Sequence, residues 1–511
     1  MLKLENLGAP FDPELGGDNL ALIDCLDWEH PREYTHRELD DLANGYARGL
    51  LKNGLKRGDA VAILSANRAE FLIAYLGILR AGMVAVPASH KFSPEVLAFI
   101  FEDSRIRHIF CDGPTRNRFQ TDLPVTNFDD PGAESPARLL DAGPFETVLP
   151  DVEEVAMVLY TSGTTGRPKG VPLTHHGHVW AMKERTARGW PFTAHRLLIA
   201  APLYHMNALC TALFGLSAST STVLMPEFEA RRYLEAIARY RCTWITSVPT
   251  MLALATMEDD LIDKLDLSSV KLVRMGSAPI SPKLWAKVKA AFPGASVGNG
   301  YGTTESGPIV FGSPEGRPVP DLSVGWQMPG VDLKLIDAAG QEADEGELWH
   351  RTPATTRGYL NLPEKSAEVL TPDGWHKSGD IFRRDEQGCY YFVGRADDMF
   401  VCGGENIHPG EAEAVLVGHP GIDQSCVVPV PDDIKGQLPV AFVVLKAGSA
   451  LTPEAVKQYA LEKAPAFMHP RMVVMMDELP LAGPGKVDRK GLQKTAIERW
   501  QKTEGKLRRT I

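Results

Sequence analysis

Cysteine is scarce in this chain, and its spacing carries no metal or disulfide signature. Seven cysteines are scattered from Cys25 to Cys426 among 511 residues, and none of them forms a C-x-x-C pair. An odd number without regular spacing gives neither a disulfide framework nor a zinc site. This usage is typical of a protein that stays in a reducing compartment.

Long apolar runs are also missing. No stretch approaches the ~20 consecutive apolar residues that a membrane-spanning helix needs. The opening sequence, MLKLENLGAPFDPEL, lacks the apolar centre of a secretion signal. We therefore expect a soluble, cytoplasmic protein without a membrane span.

Positive charge is in deficit. The 54 Lys and Arg residues stand against 65 Asp and Glu residues, so the formal net charge is −11. Nucleic-acid binding needs clustered Lys and Arg to neutralise the phosphates, and the chain has no basic stripe. These properties exclude a general nucleic-acid binder and leave function to be inferred from motifs.

What the chain does contain is a regular alternation of short apolar runs and helical patterns. Thr35 and Glu38 form a capping box that begins a helix, and the strand Ala60–Leu64, a helix over 71–80 and a strand over 83–86 make a βαβ unit. Further buried strands are predicted over 155–160, 197–201, 222–225, 243–247 and 270–275. We predict an α/β fold whose large N-terminal domain contains one or two doubly wound sheets.

The pattern changes after about residue 310. Shorter runs over 331–336, 346–349 and 390–393, interrupted by Gly, Pro and charged residues, predict a β-rich subdomain that closes the large domain. From Gly394 onward, short strands alternate with helices, one opened by Pro409 and one capped by Thr452, which predicts a small α+β C-terminal lid domain. We place the large domain at 1–393, a hinge at 394–397 and the small, mobile domain at 398–511.

The most informative segment is YTSGTTGRPKG at 160–170, directly after an apolar strand. Its glycines permit a close backbone approach, its hydroxyls donate hydrogen bonds, and Lys169 adds a positive charge, as in a cradle for a polyphosphate. The segment is not a Walker loop, because Pro168 stands where the helix of such a loop would begin. From these residues alone, a Gly/Thr-rich surface turn is an equally good interpretation.

Three further segments carry groups suited to nucleotide chemistry. NGYGTTE at 299–305 combines an aromatic ring, hydroxyls and a carboxylate, and GWHKSGD at 374–380 places an Asp in a tight turn. PLAGPGKVDR at 480–489 presents Lys486 on a Gly/Pro-rich loop. Each segment alone has an ordinary alternative, namely a packed Tyr, a turn Asp or a solvated Lys.

In this order and spacing, the four segments resemble the adenylate-forming superfamily of acyl-CoA synthetases, luciferases and peptide-synthetase adenylation domains. The resemblance covers nearly the whole chain, from the helix at Thr35 to Lys486. Within the superfamily, GRADDMFVCGGENIHPGEAEAVL at 394–416 is most similar to acyl- and aryl-CoA ligases related to 4-chlorobenzoate and 4-coumarate CoA ligases.

The resemblance implies a site for ATP and Mg²⁺. Thr304 would contact the α-phosphate, Glu305 would bind Mg²⁺, and Asp380 and Arg395 would bind the ribose hydroxyls. Contacts with the β- and γ-phosphates would come from Thr161, Ser162, Gly163, Thr164, Thr165, Gly166 and Lys169. Adenine would lie against Tyr301, in a pocket completed by Gly276, Ser277, Ala278, Pro279, Gly302 and Thr303.

The resemblance also implies two half-reactions. A carboxylate attacks the α-phosphorus of ATP and releases pyrophosphate, and the thiol of coenzyme A then displaces AMP from the acyl adenylate. Lys486 would bridge the carboxylate and the α-phosphate in the first step only. The small domain would then rotate at Asp397, and Gly403 and Gly404 would line the channel for the pantetheine arm. His205 would gate the acyl pocket, with a packed histidine at a strand end as the alternative.

The small carboxylic acid substrate is less closely defined. The segments expected to line its pocket mix Trp, Met and Val with Asn207, which suits a medium-chain fatty acid or an aromatic acid. Gly300 stands where relatives that activate malonate tend to carry Arg, so we expect no cation there and disfavour a dicarboxylate. Loading of a separate carrier protein stays open as the alternative to CoA, as do a homodimer and a protein acyltransferase acting on Lys486.

Overall fold

The computed structural model describes ten segments: 4–11, 16–161, 167–187, 192–314, 317–396, 398–402, 405–432, 435–464, 467–483 and 486–507. Up to residue 161 the elements are β1 (Leu20–Asp24), β2 (Arg32–Thr35), α1 (His36–Lys52), β3 (Ala60–Leu64), α2 (Ala69–Arg80), β4 (Val84–Pro87), α3 (Pro94–Asp103), β5 (Ile106–Cys111), α4 (Gly113–Arg116), β6 (Val125–Asn127), α5 (Pro136–Leu139) and β7 (Val155–Thr161).

The middle of the chain continues the alternation. Its elements are β8 (Lys169–Thr174), α6 (His175–Thr186), a 3₁₀ turn at Phe192–Ala194, β9 (Arg196–Ile199), α7 (Met206–Ser217), β10 (Ser221–Leu224), α8 (Ala230–Tyr240), β11 (Trp244–Ser247), α9 (Pro249–Ala255), α10 (Asp259–Ile262), β12 (Leu272–Gly276), α11 (Pro282–Ala291) and β13 (Ser296–Gly300).

The final part is richer in β structure. It contains β14 (Phe311–Gly312), β15 (Trp326–Gln327), β16 (Asp332–Ile336), β17 (Glu345–Arg351), α12 (Pro363–Val369), β18 (His376–Arg384), β19 (Tyr390–Arg395), β20 (Phe400–Cys402), β21 (Glu405–Ile407), α13 (Pro409–Val417), β22 (Ile422–Asp432), β23 (Gly436–Leu445), α14 (Pro453–Lys463), β24 (Met472–Met476), β25 (Leu481–Gly483), β26 (Lys486–Val487) and α15 (Arg489–Leu507).

Two largely parallel sheets form the large domain. One has the order β13-β12-β11-β9-β10-β1-β2, and the other has the order β6-β5-β3-β4-β7-β8. Only the edge strands β2 and β8 pair antiparallel to their neighbours within these two sheets. The predicted α/β class with doubly wound sheets is confirmed, and the capping box between Thr35 and Glu38 forms at the start of α1.

The α2 helix lies at the centre of the large domain. All of its residues except Glu70 are buried, and a single apolar cluster joins it to strands of both sheets. A helix that is apolar on every side is stable only when it is enclosed by other elements. The two sheets therefore share one core around α2.

The β-rich part and the C-terminal part have cores of their own. Strands β16 to β19 make an antiparallel sheet, whose core includes Phe311, Phe382 and Tyr390. After residue 399, strands β20 to β24 form a mixed sheet whose apolar cluster is drawn entirely from residues 400–500. Lys283 Nζ at the start of α11 donates to the carbonyl of Ile422 on β22 at 2.9 Å, so the two parts are in contact.

None of the helices in the described segments is both long and apolar enough to cross a membrane.

Candidate active site

The predicted phosphate loop connects two antiparallel strands. Thr161 at the end of β7 pairs with Lys169 at the start of β8, so the loop is the connection of a β-hairpin. A strand rather than a helix follows it, in agreement with the absence of a Walker pattern. The loop residues Ser162, Gly163, Thr164, Thr165 and Gly166 lie outside the described residues.

A short turn after β13 holds Thr304 and Glu305. The backbone N–H of Thr303 donates to Ser306 Oγ at 2.8 Å, and the N–H of Ser306 donates to Thr303 Oγ1 at 3.0 Å. This reciprocal pair closes the turn, with Thr304 and Glu305 half-buried between its ends. The N–H of Thr356 also donates to the carbonyl of Glu305 at 2.8 Å, which attaches the turn to the segment that follows β17.

Tyr359 connects this turn to the phosphate hairpin. Its hydroxyl donates to Glu305 Oε1 at 2.9 Å, and Lys169 Nζ lies 4.2 Å from the centroid of its ring. Burial and the Glu305 carboxylate raise the pKa of the Tyr359 hydroxyl well above its usual value, so the hydroxyl stays a donor. One residue thus brings the predicted phosphate-binding lysine close to the predicted Mg²⁺-binding carboxylate.

The chemistry of the Glu305 carboxylate fits a magnesium ion. Its Oε1 accepts from Tyr359, and a carboxylate has a second oxygen that can ligate a cation. Mg²⁺ bound with a nucleotide commonly takes one or two protein carboxylates and fills its remaining positions with phosphate oxygens and water. The described residues contain no cluster of three His, Cys, Asp or Glu side chains that would hold a metal by themselves.

A second tyrosine connects β13 to the antiparallel sheet. The Tyr301 hydroxyl donates to Asp380 Oδ2 at 2.5 Å, and Arg395 Nη1 donates to Asp380 Oδ1 at 3.0 Å. Asp380 and Arg395 are directly paired across β18 and β19. Burial and the Asp380 carboxylate hold the pKa of Tyr301 well above its usual value. The adenine and ribose residues predicted from sequence therefore form one hydrogen-bonded group.

Close packing at the ends of β12 and β13 requires glycine. Gly276 pairs with Gly300, and a Cβ on Gly276 would lie 2.6 Å from the carbonyl oxygen of Gly300. Ser277 follows with φ of 67°, which turns the chain sharply. The residues predicted to flank adenine thus lie at the carboxyl ends of adjacent parallel strands, where α/β sheets bind ligands. They are Ala278 and Pro279 after β12, and Gly302 and Thr303 after β13.

His205 occupies the N-cap of α7 and is exposed. Its ring centroid lies 4.6 Å from that of Tyr204. An exposed ring is the placement that a gate requires, whereas the packed histidine of the alternative interpretation would be buried. Its role as a gate stays a prediction.

An arginine from a neighbouring strand lies beside Gly300, and the expectation that the acid is not a dicarboxylate stays a prediction. We expected no cation at Gly300, but a Cβ on Gly300 would lie 3.2 Å from Nε and 3.7 Å from Nη2 of Arg274. The guanidinium comes from the neighbouring strand β12 rather than from position 300 itself. A side chain supplied across the sheet in this way is not visible in any single position of the sequence.

Gly403, Gly404 and Asp397 lie outside the described residues. The backbone of Lys486 begins β26 and pairs with Gly483 in a hairpin, and its side chain is outside the description.

Two residues of the site were missed by sequence reasoning. Tyr359 lies 190 residues after Lys169 in the sequence. It follows Arg357 and Gly358, which belong to none of the motifs described above, so no local pattern indicated it. Glu347 Oε1 accepts from the N–H of Gly379 at 2.9 Å and so supports β18 next to Asp380, which lies within this strand and not in the tight turn expected from the sequence. The alternation of β17 could have placed Glu347 on the same face as Glu345 and Trp349, but not beside Gly379.

Comparison with known proteins shows the family of this chain. The models of the AMP-binding enzyme family and of the AMP-binding enzyme C-terminal domain match residues 14–360 and 411–486. The chain is 31% identical to 4-coumarate–CoA ligase 2 of Nicotiana tabacum over 484 residues, which is 90% of this chain and 89% of that protein. The chain therefore belongs to the AMP-binding enzyme family.

Similar solved structures indicate which type of AMP-binding enzyme this chain is. ATP-bound MatB from Rhodopseudomonas palustris is similar with a TM-score of 0.88 and 28% identity, over 97% of this chain and 99% of that one. A benzoate CoA ligase from Burkholderia xenovorans LB400 is similar with a TM-score of 0.84 and 25% identity, over 96% and 100%. Together with the curated relatives, these similarities make this chain an AMP-forming acyl-CoA synthetase that uses ATP and CoA to ligate a small carboxylic acid.

Proposed function

We propose that this synthetase activates a medium-chain fatty acid or an aromatic acid and transfers it to CoA. The observation that supports the site assignment is the convergence of three distant segments through two tyrosine hydroxyls, at Glu305 and at Asp380. The mixed apolar and polar residues near Asn207 suit an acid of that size.

In the first half-reaction, the protein positions two anions against each other. Lys169 and the hairpin before it would bind the terminal phosphates, Asp380 and Arg395 the ribose, and Thr304 the α-phosphate. Glu305 would hold Mg²⁺, which neutralises phosphate charge when it is bound. Lys486 would place its ammonium between the carboxylate and the α-phosphate and stabilise the charge that develops there.

In the second half-reaction, Lys486 is no longer needed and the small domain would rotate at Asp397. The separate apolar core after residue 399 supports this proposal, because a domain with its own core can move as a unit. His205, exposed at the start of α7, would then control access of the thiol to the acyl carbon.

A panel of carboxylic acids tests the proposal. Pyrophosphate and AMP are measured for each acid with and without CoA, and with no other protein present. Stoichiometric formation of acyl-CoA, AMP and pyrophosphate is the expected result for medium-chain or aromatic acids. Pyrophosphate release without any acyl-CoA would overturn CoA as the acceptor and favour a carrier protein.

A further inference from the structure

Three side chains with soft donor atoms meet between α6 and α7. Cys210 Sγ donates to Met206 Sδ at 3.1 Å, and His178 Nε2 lies 3.4 Å from the same thioether sulfur. Met206 and Cys210 are four residues apart on α7 and therefore share a face of that helix, while His178 comes from α6. A thiol, a thioether and an imidazole thus converge, with Met206 as the common neighbour.

The hydrogen bond of the Cys210 thiol differs in kind from those of other cysteines. Cys25, Cys242 and Cys389 donate to carbonyl oxygens. The acceptor for Cys210 is a thioether sulfur, which accepts hydrogen bonds only weakly. The contact therefore contributes little as a hydrogen bond, but it brings together two sulfur atoms of the kinds that bind soft metal ions.

The charge states of His178 and Cys210 suit metal ligands. Burial lowers the pKa of His178 to about 4, so the imidazole is neutral and can present a lone pair at Nε2. Burial raises the pKa of the Cys210 thiol to about 12, and the nearby Arg185 offsets part of this effect. The thiol therefore keeps its proton until a metal ion bonds to the sulfur and the proton passes to solvent.

The donor set favours a soft ion with a single positive charge. Thiolate and thioether sulfurs select Cu⁺ over harder divalent ions. One thiolate neutralises a monovalent ion, whereas a divalent ion would leave a net charge buried in the core, which is costly. Structural Zn²⁺ sites also have four ligands, and this cluster supplies three.

We propose that His178, Met206 and Cys210 form a binding site for a soft monovalent cation, Cu⁺ or Ag⁺. Bonds from transition metals to sulfur and nitrogen are about 2.0 to 2.3 Å long, so Met206 Sδ must move away from its two neighbours by less than about 1 Å to admit an ion. The unbranched side chain of Met206 can make this adjustment by small rotations. Met206 is half-buried and follows the exposed His205, which leaves a short route from solvent to the cluster.

Competition for Cu⁺ tests the site. Reduced, metal-free protein is titrated with Cu⁺ under argon in the presence of the chromogenic chelator bicinchoninate. We expect the wild type to hold one Cu⁺ ion per chain, and Ag⁺ to compete for the same site. Met206→Leu should weaken the affinity at least about 10-fold, since even changes to groups outside the ligand set of a metal cost this much. Cys210→Ser should abolish retention of the ion, because the thiolate is lost.

Cys242→Ser is the matched control. Cys242 is also buried and its pKa is also raised to about 12, but its thiol donates to the carbonyl of Ala236. The Cys242→Ser variant should hold Cu⁺ with unchanged affinity. X-ray absorption at the copper edge adds a readout that a folding defect does not imitate. It should show two sulfur ligands and one nitrogen ligand in the wild type, and one sulfur ligand fewer in Met206→Leu.

The inference is wrong if the wild type holds no Cu⁺, or if Met206→Leu and Cys210→Ser hold it as tightly as the wild type does. Equal affinity for Zn²⁺ at the same residues would contradict the assignment to a soft monovalent ion. The titrations contain no ATP, acid or CoA, so their result is independent of the proposed function. A protein that forms acyl-CoA but holds no Cu⁺ would overturn this inference alone.

Discussion

At the scale of single residues, two tyrosine hydroxyls hold together parts of the site that are far apart in the sequence. Tyr301 reaches Asp380, and Tyr359 reaches Glu305. Both hydroxyls have a raised pKa, mainly because burial disfavours the phenolate. Each tyrosine therefore acts as a fixed donor that orients a carboxylate.

Tyr359→Phe tests this role directly. The variant keeps the ring near Lys169 but removes the donor to Glu305, so the carboxylate loses its orientation. We expect the KM for Mg²⁺·ATP to rise about 10- to 100-fold, since a hydrogen bond to a charged group contributes roughly 1.5 to 3 kcal/mol. Initial rates of AMP formation at varied Mg²⁺·ATP concentrations measure this KM.

The matched control is Tyr391→Phe. The Tyr391 hydroxyl donates to Asp385 Oδ2 at 3.3 Å in the connection between β18 and β19, away from Glu305. The Tyr391→Phe variant should leave the KM for Mg²⁺·ATP unchanged. An unchanged KM in Tyr359→Phe as well would contradict the assigned role of the hydroxyl.

At the scale of secondary-structure elements, local patterns predicted most of the large domain. The strand Ala60–Leu64 and the capping box of α1 occur as predicted, because each depends on neighbours in the sequence. The strand predicted over 83–86 forms one residue later, as Val84–Pro87, beside the rigid Pro87. Sheet order was not predictable, since β1 pairs with β10 through contacts that no local pattern encodes.

The same reasoning explains which parts of the site were predicted. Residues within one motif, such as Thr304 and Glu305, follow from the motif itself. Arg274 lies beside Gly300 because of pairing between strands, and Tyr359 lies beside Lys169 because a distant segment packs there. Such contacts depend on tertiary structure, and a single sequence does not contain them in readable form.

The hairpin that carries Lys486 and the hinge at Asp397 give an element-scale prediction. Lys486→Ala should abolish acyl-adenylate formation yet leave thioester formation from supplied acyl adenylate nearly unchanged, because the ammonium acts only on the phosphate step. Asp397→Pro should do the reverse, since proline fixes φ and restricts rotation. Pyrophosphate exchange into ATP and acyl transfer from synthetic adenylate measure the two steps separately.

Wild-type protein run through both assays is the reference for these variants. Comparable losses in both steps for Lys486→Ala would contradict its restriction to adenylation. Full overall turnover in Asp397→Pro would contradict rotation of the small domain.

At the scale of the whole molecule, buried histidines make folding stability depend on pH. Burial lowers the pKa of His108, His175 and His178 to about 4. His175 Nδ1 also accepts from the N–H of Leu7 at 3.3 Å, which requires an unprotonated nitrogen. These side chains are therefore neutral in the folded protein at physiological pH.

Acidification should destabilise the protein before most carboxylates titrate. The unfolded chain binds a proton at each histidine near pH 6.5, whereas the folded chain does so only near pH 4, so stability is full above 6.5 and falls below it. Between pH 7 and 5.5 we expect a loss of about 1 kcal/mol for each of these histidines. Urea unfolding followed by tryptophan fluorescence at each pH measures the loss.

His108→Asn provides the internal control. Asparagine keeps a polar partner for Thr126, which His108 Nε2 contacts at 3.0 Å, but it cannot titrate. The variant should lose about 1 kcal/mol less stability over the same pH range than the wild type. A pH dependence identical to that of the wild type would contradict the contribution of His108.

The pairing of β1 with β10 has a consequence for synthesis on the ribosome. β1 pairs with the neighbouring β2 along one edge, but along its other edge Leu22 aligns with Thr222, so that edge finds its partner only after about 200 further residues have been translated. At a translation rate of about 5 to 20 residues per second, this edge of β1 waits for roughly 10 to 40 s with unpaired backbone groups. The buried α2 helix also depends on that sheet, so the nascent chain exposes a strand edge and an apolar helix together, the surfaces that chaperones bind and that aggregate when unprotected.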